Sequence, residues 1–336
     1  MAARASYGAT HRTGDRDREH RMTTAPTRRI DLLRSRVCFV SGKGGTGKST
    51  VAVAIARQAA AADPRRRVLL VELDAQRSAM PGLVGVQAGY VPVTAPGGFS
   101  VANLTWAESL DDWLKAIVGV PRLVRGILKN RVVSLFLEAT PGARDLVVMT
   151  RVLQLARDWD TVIVDMPASG NAVAMVGIAH TAHRLFEAGP IRRCAEDLLA
   201  LYARPDVCAA LVALPEEMVV NETLETAAKL ARECAPLRLG AVLLNRAAPP
   251  SVTAAERAAI EALAQRGDLP VEAQALVEAG RWDLALEDAT ALARTRLHEG
   301  LPEVGITVLP TLPRGESSAR VAEALARALA RAREAA

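Results

Sequence analysis

The chain of 336 residues is poor in cysteine, in long apolar runs and in lysine. Its cysteines are widely spaced and include no C-x-x-C pair, which argues against a zinc ribbon or a disulfide framework and fits a reducing cytoplasm. No apolar run reaches the roughly 18 residues that a membrane-spanning helix needs. The amino terminus also lacks the apolar stretch of a secretion signal. We therefore expect a cytoplasmic protein.

Only five of the 42 basic residues are lysines, and two of these, Lys43 and Lys48, lie in one glycine-rich run, Ser41-Gly-Lys-Gly-Gly-Thr-Gly-Lys-Ser-Thr50. The run fits the phosphate-binding pattern G-x-x-x-x-G-K-[ST], in which glycines let consecutive backbone N–H groups turn toward phosphate oxygens. We expect Lys48 to reach the β- and γ-phosphates and the Ser49 hydroxyl to hold Mg²⁺. A sequence that otherwise avoids lysine needs ammonium groups in this loop.

The surroundings of the run fit the same interpretation. An apolar strand is predicted before it, at 36–41, and an alanine-rich helix after it, at 49–62, so the partial positive charge of a helix N-terminus faces the nucleotide. The sequence thus predicts a nucleoside-triphosphate site with Mg²⁺. Its nucleotide-binding residues are Gly42, Gly44, Gly45, Thr46, Gly47, Lys48, Ser49 and Thr50.

The net charge of +5 comes from the amino-terminal segment, because residues 1–36 hold nine arginines and four acids. The remainder is balanced, so nucleic acid is not an expected partner. Residues 1–35 are polar with alternating charge, which predicts a disordered arginine-rich tail. A basic arm that touches DNA or acidic lipid is the alternative interpretation, and Met22 is an alternative start.

Apolar strands that alternate with helices predict an α/β fold, a doubly wound, mostly parallel sheet flanked by helices, as one P-loop domain over 36–334. The predicted strands are 36–41, 67–72, 99–104, 161–165, 208–213, 239–244 and 305–309. The predicted helices are 49–62, 106–118, 122–138, 145–157, 191–203, 217–234, 252–267, 270–297 and 317–334.

Two stretches are interpreted as helical inserts in this core, near 76–140 and near 249–300. Such inserts commonly carry client-binding or dimer contacts. Within the first, 117–139 is rich in Val, Leu and Ile with spaced basic residues. This pattern predicts either a core helix with one solvent-exposed face or an amphipathic helix that binds a partner protein or a membrane surface.

Several polar residues follow predicted strands, at the sheet edge where such folds bind ligands. Glu72 and Asp74 end one strand, and Asp74 is the candidate for orienting the attacking water, with Glu72 behind it. Asp165 ends another apolar strand, which is the pattern of an acid that holds Mg²⁺. Asn245 ends a third, where an amide can contact adenine or simply cap a loop.

The form K-G-G-x-G-K-[ST] resembles the deviant Walker A motif of the SIMIBI class of P-loop NTPases. Within that class the chain is similar to the arsenite-pump ATPase family, which includes the ATPase that targets tail-anchored membrane proteins. Besides the loop, the motifs that carry this resemblance are Val68–Ser78, Pro141–Asp145, Asp165–Gly170, Leu214–Met218 with Asn221–Thr223, and Asn245.

This resemblance implies an ATP-sandwich dimer, either of identical chains or with a paralogue. It implies that Lys43 crosses to the phosphates of the partner subunit, that Asp74 acts on the water, and that Asp165 lies in the Mg²⁺ shell. Asn245 matches the family's adenine contact. A membrane-associated client, and hence a location at the periphery of a membrane, is part of the same expectation.

The chain departs from that family at several positions. Asn171 follows the switch II glycine where a histidine is usual, and 74–78 reads D-A-Q-R-S. Neither the arsenite-sensing cysteines nor the zinc C-x-x-C is present. Two alternatives therefore stay open, a partitioning or division-positioning type of ATPase that binds DNA or membrane, and a slow nucleotide-binding regulator.

Overall fold

A computed structural model describes residues 30–73, 78–118, 142–312 and 315–334. The strands in these residues are β1 (Val37–Gly42), β2 (Val68–Leu73), β3 (Val93–Ala95), β4 (Phe99–Leu104), β5 (Thr161–Asp165), β6 (Val207–Ala213), β7 (Arg238–Ala247) and β8 (Gly305–Pro310). The α-helices are α1 (Lys48–Ala62), α2 (Met80–Val84), α3 (Trp106–Val118), α4 (Ala143–Asp158), α5 (Ser169–Leu185), α6 (Pro190–Tyr202), α7 (Glu217–Glu233), α8 (Ala254–Ala264), α9 (Val271–Gly300) and α10 (Ser318–Glu334).

The strands form one sheet in the order β3-β4-β2-β5-β1-β6-β7-β8, in which only β3 is antiparallel to its neighbour. Every residue of β1 is buried, as expected for a central strand covered by helices on both faces. The residues of α1 and α10 bury one face, and those of α4, α5 and α6 bury the other. This arrangement confirms the predicted doubly wound α/β fold.

The chain leaves β1 toward β2 on one side, while β6 and β7 lie on the other. The loop that follows β1 therefore emerges where the strand order reverses, which is the position at which open α/β sheets bind ligands. The acids at the ends of β2 and β5 lie on one side of this loop. The ends of β6 and β7 lie on its other side.

The predicted strands are confirmed, and so are the predicted helices within the described residues, with boundaries within three residues. The predicted helix at 122–138 lies outside the described residues. Three of the described strands and α-helices were not predicted, namely β3, α2 and α5. The strand β3 and the helix α2 are only three and five residues long. The helix α5 contains four alanines and two glycines, and these small residues weaken the apolar periodicity by which a helix is recognised.

Two predicted boundaries need correction. The expected tail extended to residue 35, but Leu32–Arg34 form a 3₁₀ turn in which Leu32 and Leu33 are buried, because the Asp31 side chain accepts a hydrogen bond from the Leu33 N–H. The expected insert near 76–140 was described as helical, but β3 and β4 join the main sheet. Apolar residues of β4 are buried on both of its faces, which makes it part of the core.

Candidate functional site

The glycine-rich run forms a cradle between β1 and α1 that leaves no room for side chains at two positions. A Cβ on Gly42 would lie 2.3 Å from the Val212 carbonyl oxygen of β6, and the φ of Gly42 is 152°. Gly47 has a φ of 88°, and a Cβ there would lie 2.7 Å from the Asn245 side-chain nitrogen. Gly47 is also the N-cap of α1 and supplies no side-chain cap. The first N–H groups of α1 are therefore suited to bind phosphate oxygens.

The loop is held in shape by its own side chains. Thr46 is fully buried, and its hydroxyl donates a hydrogen bond to the Lys43 carbonyl oxygen at 2.9 Å. The Lys48 ammonium donates to the same oxygen at 3.3 Å. Gly44 and Gly45 are exposed, so this part of the cradle opens to solvent. Thr50 follows in the first turn of α1. Hydrogen bonds from its own side chains thus hold the backbone of the phosphate loop in the cradle shape.

Asn245, at the end of β7, supports the loop from behind. It is buried, and its side-chain amide donates a hydrogen bond to the Thr46 carbonyl oxygen at 2.8 Å. The predicted contact between this residue and adenine stays a prediction. What the structure adds is a direct link between β7 and the phosphate loop.

Asp165 ends β5, as the sequence predicts. Its register partners are Val40 of β1 and Glu72 of β2. Burial, together with the charge of Glu72, raises the pKa of Asp165 to about 6, against the opposing effects of the Ser49 hydroxyl and the Lys48 charge. Its Oδ1 atom is buried without a hydrogen-bond partner among the described residues.

These residues fit a magnesium ion. A buried carboxylate oxygen that lacks a donor is costly, and a hard cation is the ligand that suits it. Ser49 and Asp165 would hold the ion, as the sequence predicts. The phosphate loop, in which a Cβ at Gly42 or Gly47 would clash, has room for phosphate groups next to this ion.

Glu72 has a role that its position in the sequence did not reveal. Its buried carboxylate accepts hydrogen bonds from the Ser78 hydroxyl at 2.5 Å and from the Ala79 N–H at 2.8 Å. It therefore fixes the chain immediately after 74–77. Asp74 itself lies outside the described residues, and its predicted action on water stays a prediction.

Lys43 is paired with an acid of its own chain. Its ammonium lies 3.2 Å from the Glu222 carboxylate on α7, and both side chains are about one third exposed. Glu222 also accepts a hydrogen bond from the Ser169 hydroxyl at 2.6 Å, at the start of α5. The Ser169 hydroxyl and the Lys43 ammonium both lower the pKa of Glu222. Glu222 and Ser169 were not predicted as site residues, although both lie in stretches that carry the family resemblance.

No helix within the described ranges is both long and apolar enough to cross a bilayer.

Residues 37–278 match the CobQ/CobB/MinD/ParA nucleotide binding domain. ATPase BagA of Mycobacterium tuberculosis is 28% identical over 227 residues, which cover 64% of this chain and 66% of that protein. The chain thus spans just under two thirds of the length of this relative.

More distant relatives match only about one third of the chain. A cytosolic Fe-S cluster assembly factor NUBP1 homolog of Caenorhabditis elegans is 33% identical over 116 residues, 33% of this chain and 35% of its own length. An iron-sulfur cluster carrier protein of Saccharolobus solfataricus is 30% identical over 113 residues, 31% and 35% of the two lengths. The matched family does not specifically support the arsenite-pump branch suggested by the motifs. The chain belongs to the CobQ/CobB/MinD/ParA nucleotide-binding domain family of P-loop NTPases.

Proposed function

We propose that this protein is a cytoplasmic, Mg²⁺-dependent ATPase that works as an ATP-switched dimer. The observation that carries the proposal is the Asp165 carboxylate at the end of β5, whose Oδ1 atom is buried without a hydrogen-bond partner among the described residues. An acid in this position serves a metal-assisted phosphoryl transfer. Simple phosphate binding needs only the loop and the helix N-terminus.

Each residue of the site has a distinct role in the proposed ATP hydrolysis. The backbone N–H groups of 44–48 and the Lys48 ammonium bind the phosphates. Ser49 and Asp165 would hold a Mg²⁺ ion, whose charge would offset the negative charge of the phosphates. Asp74 orients the attacking water. Lys43 leaves Glu222 and reaches the phosphates of a second subunit, identical or paralogous, in the manner of an arginine finger.

We further propose the arsenite-pump and tail-anchor-targeting branch, with a membrane-associated client that places the protein at the periphery of a membrane. The support is the ordered set of motifs, of which the 214–223 stretch supplies the acid that contacts Lys43. The helices α8 and α9 also expose large apolar side chains, including Leu276 and Trp282, which suit contact with a partner. A partitioning or division-positioning ATPase is the second candidate, because the matched domain description names MinD and ParA.

Phosphate release measured with Mg²⁺ and with EDTA tests the activity. Lys48→Ala is expected to abolish ATP binding, and Asp74→Asn to keep binding, slow turnover and accumulate as a dimer in light scattering. Lys115→Ala is the matched control, because Lys115 is an exposed lysine of α3 that pairs with Asp111 and Asp112. Tight ATP binding by Lys48→Ala would refute the assigned loop, and turnover of Asp74→Asn at the wild-type rate would refute the role of Asp74.

A pull-down from native lysate separates the branches. The bait is Asp74→Asn loaded with ATP, and Lys48→Ala is the unloaded control. Membrane proteins, lipid or a second ATPase that are enriched only with the loaded bait support the targeting branch. Enriched DNA or a positioning partner supports the second candidate. Identical profiles would favour a slow nucleotide-binding regulator.

A further inference from the structure

The loop after β7, residues 248–253, forms hydrogen bonds with α9 at two positions. The Glu287 carboxylate accepts hydrogen bonds from the Ser251 N–H at 2.8 Å and from the Ser251 hydroxyl at 2.6 Å. One turn later, the Thr290 hydroxyl accepts a hydrogen bond from the Ala248 N–H at 3.0 Å. Both anchors lie on the face of α9 that packs against the body of the protein, with Leu284, Ala293 and Leu297.

Glu287 is unusual among the acids of α9 because its side chain is only 5% exposed. Hydrogen bonds from Ser251 and the nearby Arg257 guanidinium lower its pKa. A buried carboxylate is tolerated when its oxygens have donors, and here the main donors belong to a loop rather than to another helix. The carboxylate therefore determines where this loop lies.

This loop adjoins the phosphate cradle. Its first residue, Ala248, is three positions after Asn245, which donates to the Thr46 carbonyl oxygen. The Ala247 carbonyl oxygen accepts a hydrogen bond from the Thr311 N–H at 2.9 Å, which ties the loop's start to the end of β8. The loop is thus continuous with the residue that supports the phosphate loop, and a displacement of 248–251 would act on that residue.

The strand order indicates which end of a nucleotide this loop would meet. Asp165 and Glu72 lie on β5 and β2, on one side of β1, so the terminal phosphate and the metal belong there. The nucleoside must then extend toward the opposite side, across the ends of β6 and β7. The loop after β7 borders that end.

We infer that Glu287 is a positioning residue for nucleotide recognition, which holds the loop 248–253 at the nucleoside end of the site and thereby sets affinity for the base. The inference rests on the proposed function in so far as a nucleotide occupies the phosphate loop. It makes α9 a part of the nucleotide site. The same helix also holds α7 beside Glu222, since Arg296 donates to the Asn221 side chain at 2.7 Å.

Calorimetric titration of ATP, GTP and inorganic tripolyphosphate tests the inference. Glu287→Ala is expected to weaken ATP binding about three- to tenfold, on the order of one net hydrogen bond, and to reduce the preference between ATP and GTP. Tripolyphosphate binding should change by less than about twofold, because it requires only the cradle. Glu287→Gln should restore most of the ATP affinity, since its amide oxygen can still accept from Ser251.

Asp288→Ala is the matched control, because Asp288 pairs with the same Arg257 at 2.9 Å but is exposed and forms no hydrogen bond with the loop among the described residues. An equal loss of ATP and tripolyphosphate binding in Glu287→Ala would assign Glu287 to general stability and overturn the inference. So would wild-type affinity, or the same loss in Asp288→Ala. Absence of ATP hydrolysis by the wild type would refute the proposed ATPase and leave these binding comparisons intact.

Discussion

The Lys43 ammonium and the Glu222 carboxylate form an ion pair within one chain, at an N–O distance of 3.2 Å. Lys43 is the residue proposed to act on the phosphates of a second subunit. In the structure it is held instead by α7, through an acid that also binds Ser169. Closure of the proposed dimer must therefore break an intramolecular contact.

We expect Glu222→Gln to free Lys43. An exposed ion pair contributes about 0.2–1 kcal/mol, so acylation of the Lys43 amine in the nucleotide-free protein should become roughly 1.4- to fivefold faster. Mass spectrometry can follow this reaction at single residues because the chain has only five lysines, with Lys115 as internal reference. Glu225→Gln, an exposed acid on the same helix, is the control. Unchanged reactivity of Lys43 would show that the pair does not persist in solution.

Lys43→Ala should leave ATP binding nearly unchanged but reduce the rate of ATP hydrolysis. ATP binding should stay within about twofold of wild type, because Lys48 and the helix N-terminus bind the phosphates of the same chain. Turnover should fall by roughly 10³-fold or more, as for the loss of an arginine finger. Nucleotide titration and phosphate release measure the two quantities, and Lys115→Ala again serves as the control. Unaltered hydrolysis would refute the proposed action of Lys43 in the partner's site.

Asp165 should make the metal-free protein less stable as the pH rises. Its pKa of about 6 lies above the ordinary value of 3.8, so the folded state binds the proton more tightly than the unfolded state. The stabilising effect of the proton is complete below the ordinary pKa and is lost as the pH rises through the folded-state value. The loss amounts to about 3 kcal/mol.

Asp165→Asn should remove this loss. In EDTA at pH 7.5, urea unfolding should show a variant more stable than wild type by up to about 3 kcal/mol, with little difference near pH 4. The same variant should lose Mg²⁺-dependent hydrolysis. Equal stability of the two proteins across this pH range would mean that the carboxylate is not desolvated as the structure shows.

Gly42→Ala should destabilise the fold itself. The new Cβ would meet the Val212 carbonyl oxygen at 2.3 Å, in a backbone conformation that favours glycine. Strain and overpacking together should cost about 3 kcal/mol. Gly44→Ala is the matched comparison, because no heavy atom lies within 4 Å of its added Cβ. Chemical denaturation measures both, and an equal free energy of unfolding for the two variants would contradict the close approach of β6 to Gly42.

Local patterns in the sequence determined the phosphate loop, the strands and helices that flank it, and the acid at the end of β5. These features depend on short spacings, such as glycines around Lys48 or an apolar run that ends in Asp165, and so they can be recognised without the fold. The same holds for the doubly wound sheet, because strands alternate with helices along the chain. The helix α5 was missed because small residues along it weaken the apolar periodicity.

The tertiary structure alone decided which side chains of distant segments meet. Lys43 and Glu222 are 179 positions apart in the sequence, Thr46 and Asn245 are 199 apart, and Ser251 and Glu287 are 36 apart. The acids Glu222 and Glu287 lie on helices that also carry several exposed acids, and no feature of the neighbouring sequence distinguishes them. Their roles follow from strand order and helix packing, which bring the carboxylates to donors that no local pattern specifies.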